Sequence, residues 1–331
     1  MKSIQDLRLA FIGVSHWHVP LYLLQVQRDK LNVVAASDPE AGVADRFARQ
    51  HSCTPYTDAQ RLLDEVAPDF VFAFAPHDIM PSLALDLIDR GIPFAIEKPL
   101  GLSATDVETV CLAAKKAEAF CAIPFVWRYS QFIDNFKQTV PASDIQHLAF
   151  RFIAGPPSRY LGISPWMLEA KRCGGGCMTN LGVHFIDMAL NLAGATEAEV
   201  IGAAYQYGSD YDIETYASAL VRLAGGATMS LETGYAYPMD SMSARDNRWN
   251  IATSNGYYTL GDNLLEQRRY GMEPERIPMS TDSDVYYAEF ACITLEDYLN
   301  GRTPRAGLPE MLQVRRILDS INQTAQDERN R

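Results

Sequence analysis

The stretch "LAFIGVSHWH" (residues 9–18) joins an apolar run to a glycine and then to a polar turn. An apolar run ending in Gly13 is typical of the first strand of a nucleotide-binding sheet, where glycine permits a tight turn beside a phosphate. The usual second and third glycines are replaced here by Ser15 and His18. The stretch is therefore consistent with a variant dinucleotide turn, and equally with a buried strand followed by an ordinary turn.

Strand and helix patterns alternate over the first third of the chain, which predicts an α/β fold with a doubly wound, Rossmann-like parallel sheet. The expected strands are 7–13, 31–38, 69–76, 93–99 and 121–128, and the expected helices are 19–29, 40–52, 81–91 and 103–119. Ligands of such a sheet bind outside the carboxyl ends of its strands, where Gly13 lies.

The remaining sequence predicts an α+β domain with a large, mostly antiparallel open sheet. The expected strands lie at 145–155, 199–208, 215–237 and 249–260, with a helix near 180–193 and a last helix at 309–328. Within 215–237, the Gly225–Gly226 turn predicts a hairpin. We therefore expect a dinucleotide-binding domain at 1–124 and a second, substrate-binding domain at 125–331. The last helix is placed so that it can pack back on the first domain.

Composition excludes several classes of partner. The 331 residues carry a net charge of −12 without a dense basic stripe, which argues against nucleic acid and anionic membranes as partners. No apolar run approaches the roughly 18 residues of a membrane-spanning helix, and no signal-peptide core precedes the first strand. We expect a soluble, cytoplasmic protein. Cys173 and Cys177 flank a triple glycine, but with only His184 nearby they favour a reduced, metal-free protein over a zinc site.

Asp38 ends the second expected strand. A carboxylate at this position can accept hydrogen bonds from both hydroxyls of an adenosine ribose, and it repels the 2′-phosphate of NADP. Together with Gly13, Asp38 predicts a dinucleotide site that prefers NAD to NADP.

Two further groups are candidates for catalysis. Glu97 and Lys98 close the strand at 93–99, either as functional groups or as a solvated charged pair. Asn180, His184 and Asp187 follow the glycines at 174–176 with spacings of four and three, so we expect them on one helix face. Histidine is suited to moving protons near neutral pH, although a lone helical histidine is more often structural.

"EKPLG" (97–101) after a Rossmann-like half, followed by "GGG" (174–176) and "NLGVHFID" (180–187), resembles the Gfo/Idh/MocA family of oxidoreductases. The resemblance covers essentially the whole chain. It implies hydride transfer between a nicotinamide cofactor and the carbinol of a sugar, an inositol or a related polyol. It also implies a homodimer or homotetramer formed through the C-terminal sheet.

The resemblance assigns roles to individual residues. Lys98 would orient the substrate hydroxyl and contact the cofactor, and His184 would be the general acid/base. Asn180 stands where the family often has an aspartate that assists the histidine and the lysine. An asparagine side chain cannot ionise, so Asn180 can only help to position these groups. The residues implied to bind the cofactor are Gly13, Ser15, His16, Trp17, Asp38, Ala75, Pro76, His77, Glu97 and Lys98. Those implied to meet substrate are Arg128, Tyr129 and Asp187. Trp166 is a further substrate candidate because its ring offers an apolar face to a sugar, and the alternative is a core residue.

Some positions depart from the family pattern. The family's "TPN" reads Ala75-Pro76-His77, Met80 stands where histidine is common, and His18 has no assigned role. Two alternatives therefore stay open: a non-catalytic sensor that binds NAD and a sugar, and an NAD-dependent glycosidase without net redox chemistry.

Overall fold

The computed structural model describes residues 3–238 and 245–331. They form two compact units. The first unit runs up to Pro124 and also includes Gly162–Trp166 and Asp284–Leu312. The second unit contains the described residues of Phe125–Leu161, Met167–Ser283 and Gln313–Arg331. The first break falls after Pro124, and the later segments interleave along the chain.

The first unit is built on a six-stranded parallel sheet in the order β3-β2-β1-β4-β5-β6. Its strands are β1 (Leu9–Ile12), β2 (Val33–Ser37), β3 (Thr54–Tyr56), β4 (Phe70–Ala73), β5 (Phe94–Ile96) and β6 (Cys121–Ala122). Its first helices are α1 (Val19–Arg28), α2 (Ala41–His51), α3 (Ala59–Val66), α4 (Met80–Asp89) and α5 (Ala104–Ala117). This order confirms the predicted doubly wound α/β fold.

The core of this sheet follows from its apolar strands. All residues of β1, β4 and β5 are buried, as expected when helices cover both faces of a parallel sheet. Phe11 on β1 packs on Phe72 of β4, with ring centroids 5.1 Å apart.

The predicted strand count was wrong because β3 and α3 were missed. The edge strand β3 has only three residues, one of them Pro55, so it carries no apolar pattern. The predicted third and fourth strands are therefore β4 and β5. The predicted strand at 121–128 is only the two-residue β6, followed by a 3₁₀ turn at Val126–Tyr129.

The second unit contains an eight-stranded sheet in the order β14-β13-β12-β11-β7-β10-β9-β8. Its strands are β7 (Ile145–Ile153), β8 (Ala198–Tyr207), β9 (Glu214–Leu223), β10 (Thr228–Gly234), β11 (Asp246–Thr253), β12 (Gly256–Gly261), β13 (Leu264–Arg269) and β14 (Glu275–Pro278). Its helices include α6 (Gln131–Thr139), α7 (Ala170–Cys173) and α8 (Val183–Ala193). Only the β7–β10 pair is parallel, which confirms a mostly antiparallel sheet.

Turn chemistry sets the register of this sheet. Gly225 and Gly226 both have positive φ and join β9 to β10, as the double glycine predicts. The predicted single strand at 249–260 was wrong, because Ser254 and Asn255 form a turn that divides it into β11 and β12.

Two helices complete the chain. The predictions did not include α9 (Tyr286–Leu299), which packs on α1 within the first unit. The predicted last helix is α10 (Leu308–Arg329), which begins in the first unit and ends in the second. Across residues 3–238 and 245–331, every helix is too short or too polar to cross a membrane.

Candidate active site

Gly13 makes the turn that follows β1. Its φ is +78°, and a Cβ added here would lie 2.0 Å from the carbonyl oxygen of Phe74. An L-residue would therefore be strained and would also collide with the backbone after β4. Glycine is required at this position, as expected of a close backbone approach.

Asp38 holds this turn in place. Its Oδ2 accepts a hydrogen bond from Ser15 N at 2.7 Å, and its Oδ1 accepts one from Glu40 N at 3.1 Å. The carboxylate is buried, whereas Ser15 is exposed. Asp38 therefore fixes the backbone of the turn and leaves the Ser15 side chain at the surface.

Aromatic rings line the next residues of the turn. His16 stacks on Trp17, with ring centroids 4.0 Å apart, and both rings approach Trp166 at about 6 Å. His77, which follows β4, meets the same Trp166 edge-on at 4.9 Å. Four of the predicted site residues thus form one aromatic cluster in the first unit. Burial lowers the pKa of His16 well below its usual value, and the neighbouring His18 lowers it further.

The structure supplies the missing role of His18. Its Nδ1 lies 3.0 Å from Glu97 Oε1, and Tyr22 Oη donates a hydrogen bond of 2.9 Å to the same oxygen. On the other side of the ring, Nε2 lies 3.4 Å from Tyr287 Oη. His18 therefore replaces the expected glycine in order to link α1 to the Glu97-Lys98 segment.

Burial alone would raise the pKa of the Glu97 carboxyl. The charge of His18 and its hydrogen bond more than offset burial, so this pKa is held below its usual range. Glu97 is therefore a buried carboxylate rather than the solvated charge considered from the sequence. Lys98 comes two residues after β5 and is also buried.

The triple glycine makes the corresponding turn in the second unit. A Cβ on Gly176 would lie 2.0 Å from the carbonyl oxygen of Glu214, the first residue of β9. The buried Glu214 carboxylate accepts hydrogen bonds from Gly176 N at 2.6 Å and from Met178 N at 3.0 Å. Burial raises the pKa of Glu214, although the backbone hydrogen bonds oppose that rise.

His184 and Asp187 lie on α8, whereas Asn180 lies in the turn that precedes it. Residues Met178–Gly182 form a π-helical turn, and α8 begins only at Val183. Asn180 Nδ2 donates hydrogen bonds to Tyr160 Oη at 2.8 Å and to Tyr235 Oη at 3.0 Å.

Arg128 and Asp187, both predicted to meet substrate, form an ion pair with each other. Arg128 Nη2 lies 2.7 Å from Asp187 Oδ1, and Nε donates to both carboxylate oxygens. Tyr129 is buried beside Arg128 in the chain, and His184 lies half-buried one turn before Asp187. The ring of Phe125 meets His184 edge-on at 6.4 Å.

Sequence reasoning missed Glu214, Tyr22, Tyr235 and Tyr287. Each lies far along the chain from the group that it contacts, so no local spacing marks it. Glu214 is the one with a signal, since it is an acidic residue directly before the predicted strand at 215–237. The flanking thiol of Cys173 is also buried, which raises its pKa to about 12 and disfavours the thiolate that a metal requires.

Comparisons with known proteins agree with this architecture. Residues 7–125 match the oxidoreductase family with an NAD-binding Rossmann fold, and residues 144–259 match the GFO/IDH/MocA C-terminal domain. The scyllo-inositol 2-dehydrogenase (NAD(+)) of Bacillus subtilis is 22% identical over 90% of this chain and 88% of its own. The D-glucoside 3-dehydrogenase of Escherichia coli is 22% identical over 71% of this chain and 73% of its own.

A solved structure shows the same fold along its length. It is an oxidoreductase from Agrobacterium radiobacter in complex with NAD+, L-tartaric acid and magnesium, with a TM-score of 0.85 and 16% identity over 97% of both chains. Two family models cover both units of the fold, and the EKP and GGG motifs lie within them. The chain therefore belongs to the GFO/IDH/MocA family of oxidoreductases.

Proposed function

We propose that this protein is an NAD-dependent dehydrogenase that moves hydride between the nicotinamide and a CH–OH group of a sugar or polyol. The observation that carries the proposal is the Gly13 turn held by the buried Asp38. The family match and the named activities of the two relatives support the same chemistry.

The residues of the first unit fit a dinucleotide. The turn at Gly13 has no Cβ to obstruct a phosphate, and Ser15 is exposed, so its hydroxyl is available to a phosphate. The first N–H groups of α1 already donate within the chain, from His18 to His16 Nδ1, from Val19 to His16 O and from Leu21 to His18 O. The proposed cofactor residues are the set implied by the resemblance: Gly13, Ser15, His16, Trp17, Asp38, Ala75, Pro76, His77, Glu97 and Lys98.

Asp38 supports NAD over NADP. Each of its carboxylate oxygens accepts one backbone hydrogen bond, and an ionised carboxylate has further lone pairs for ribose hydroxyls. Its negative charge would repel a 2′-phosphate at the same place.

The proposed reaction divides between residues of the chain. NAD, when bound, would accept the hydride of the CH–OH carbon. Lys98 would orient the substrate hydroxyl, and the imidazole of His184 would take the hydroxyl proton, which leaves a carbonyl and protonated His184. Because His184 Nδ1 is buried, we assign the proton to Nε2. Asn180 helps to position the reacting groups and takes no part in proton transfer, since its amide cannot take up a proton.

The experiment replaces His184 with alanine. We expect kcat to fall by about 10²–10⁴, the usual contribution of a positioned general base. NAD affinity, measured by calorimetry, should stay unchanged. The matched control is His147→Ala, because His147 is also a half-buried histidine of the second unit. Full turnover by His184→Ala, or failure of the wild type to bind NAD, would contradict the proposal.

A further inference from the structure

Tyr160, Tyr235 and Asn180 lie together near the carboxyl ends of the parallel strands β7 and β10 in the second unit. β7 and β10 run side by side, so the chain leaves both at one sheet edge. Ala154 N donates to Gly234 O at 2.8 Å, which ties the two exits together. Tyr235 is the first residue after β10, and Tyr160 lies in the segment after β7. Both tyrosine hydroxyls accept hydrogen bonds from Asn180.

Arg159 lies against these two tyrosines. Its guanidinium carbon is 4.7 Å from the ring centroid of Tyr160 and 5.3 Å from that of Tyr235. Its Nη2 donates a hydrogen bond of 2.6 Å to Tyr160 Oη. Contacts with two aromatic faces and a hydroxyl hold the guanidinium in one orientation.

Among residues 3–238 and 245–331, no carboxylate lies within ion-pair distance of Arg159, and its buried Nε has no acceptor. Other partly buried arginines are paired, such as Arg128 with Asp187 and Arg315 with Asp319. Arg159 is half-buried, and a partly desolvated guanidinium is less stable without an anion than with one, so an anion brought by a ligand would complete the site.

The neighbouring groups are neutral, which favours an anion further. Asn180 stands where the family resemblance implies an aspartate, so this end of the sheet has one negative charge fewer. Burial raises the pKa of Tyr235 well above its usual value, and Arg159 offsets that only in part. The Tyr235 hydroxyl therefore remains a hydrogen-bond donor at neutral pH.

We propose that the substrate carries an anionic group, a carboxylate or a phosphate, which binds Arg159 beside Tyr160 and Tyr235. The substrate is then a sugar acid or a sugar phosphate rather than a neutral polyol. Arginine suits both anions because its planar fork of N–H donors matches their paired oxygens. This inference rests on the proposed dehydrogenase function and narrows its substrate class.

The test compares anionic sugars with their neutral parents. Hexuronates, aldonates and hexose phosphates are assayed for NAD reduction beside the corresponding hexoses and inositols. We expect an anionic member to have the lowest KM, and the carboxylate and phosphate arms show which anion the site prefers. Equal or better KM values for the neutral parents would overturn the inference and leave the dehydrogenase function standing.

Variants of Arg159 locate the effect. Arg159→Gln should raise the KM of the preferred anionic sugar by about tenfold or more, since one charge-assisted pair is lost. Arg159→Lys, which keeps the charge, should recover part of that loss. The control is Arg222→Gln, because Arg222 is exposed and paired with Glu199. An unchanged KM in Arg159→Gln would also overturn the inference.

A binding measurement separates the two proposals. D-Glucuronate, D-glucose 6-phosphate and D-glucose are titrated by calorimetry into protein saturated with NADH. Tighter binding of either anion, lost in Arg159→Gln and weakened in Asn180→Asp, supports the inference even if none of the three is oxidised. Absence of turnover with every sugar would then count against the proposed function alone, whereas equal binding of all three would count against the anion site.

Discussion

The turns at Gly13 in the first unit and Gly176 in the second share one arrangement, a glycine packed against a backbone carbonyl. Each glycine approaches a carbonyl so closely that an added Cβ would lie 2.0 Å from it. Each turn is held by a buried carboxylate that accepts backbone hydrogen bonds, Asp38 in the first unit and Glu214 in the second. In both turns each carboxylate oxygen accepts one backbone hydrogen bond, from Ser15 and Glu40 at Asp38 and from Gly176 and Met178 at Glu214. We propose that only Asp38 has a second task, the binding of ribose.

Alanine at either glycine should have the largest effect. We expect Gly13→Ala to lower the free energy of unfolding by roughly 4 kcal/mol or more, because a backbone collision adds to a positive φ. Gly176→Ala has the collision without the positive φ, so its loss should be smaller. Chemical denaturation measures both, and NAD affinity should fall only in Gly13→Ala.

Two matched glycines serve as controls for this pair. A Cβ on Gly42 in the first unit or on Gly202 in the second would meet no heavy atom within 4 Å. Gly42→Ala and Gly202→Ala should change the free energy of unfolding by no more than about 1 kcal/mol. If Gly176→Ala were as mild as Gly202→Ala, the second turn would not be a close-packed one.

Amides in place of the two carboxylates should have an intermediate effect. Glu214→Gln keeps one acceptor but turns an NH₂ group towards the other backbone N–H, so we expect a loss of about 1–3 kcal/mol at neutral pH. Asp38→Asn should also reduce the preference for NAD over NADP by about tenfold, because one repulsive charge of roughly 1.4 kcal/mol is removed. Affinities for both nucleotides, measured by calorimetry, check this second effect.

The pH dependence distinguishes the role of Glu214. Its pKa is raised in the folded protein, while an unfolded glutamate titrates near about 4.3. Its share of stability is therefore complete below about pH 4.3 and is lost as the pH rises through the folded value. Urea denaturation of Glu214→Gln should lack this decline, and an identical decline in wild type and variant would contradict the assignment.

The smallest expected effect is the pH dependence that His16 of the first unit gives to stability, and its direction is opposite to that of Glu214. The folded pKa of His16 lies well below the roughly 6.5 of an unfolded histidine. As the pH falls below about 6.5, the unfolded chain gains a proton first, so stability falls by at most about 1.4 kcal/mol per pH unit. His16→Phe should lessen this acid sensitivity in urea denaturation between about pH 7 and pH 5, and His147→Gln is the control. Equal acid sensitivity in His16→Phe and wild type would contradict a buried neutral His16.

The elements that could be predicted from the sequence are those that depend on local residue patterns. Apolar runs and turn residues predicted the parallel sheet, and the Gly225-Gly226 pair predicted the β9–β10 hairpin. The edge strand β3 was missed because three residues with a proline have no usable periodicity. Gly13 and Asp38 were identifiable because the fold places glycine and acid at known strand ends.

Contacts between residues far apart in the chain could not be predicted from the sequence. His18 had no role until β5 brought Glu97 to it and α9 brought Tyr287. The π-helical turn that contains Asn180 was not foreseen, because a regular helical period was assumed there. Arg159 carries no motif, and it was identified only because no carboxylate in the described part of the chain lies within ion-pair distance of it.

The π turn at Met178–Gly182 has a consequence for moving its side chains to another helix. Such a turn holds one residue more than the α-helical turn that it replaces, so it behaves as a one-residue insertion within a helix. Transplanting Asn180 and His184 onto a regular α-helix at the same spacing would therefore change the angle between the two side chains about the helix axis.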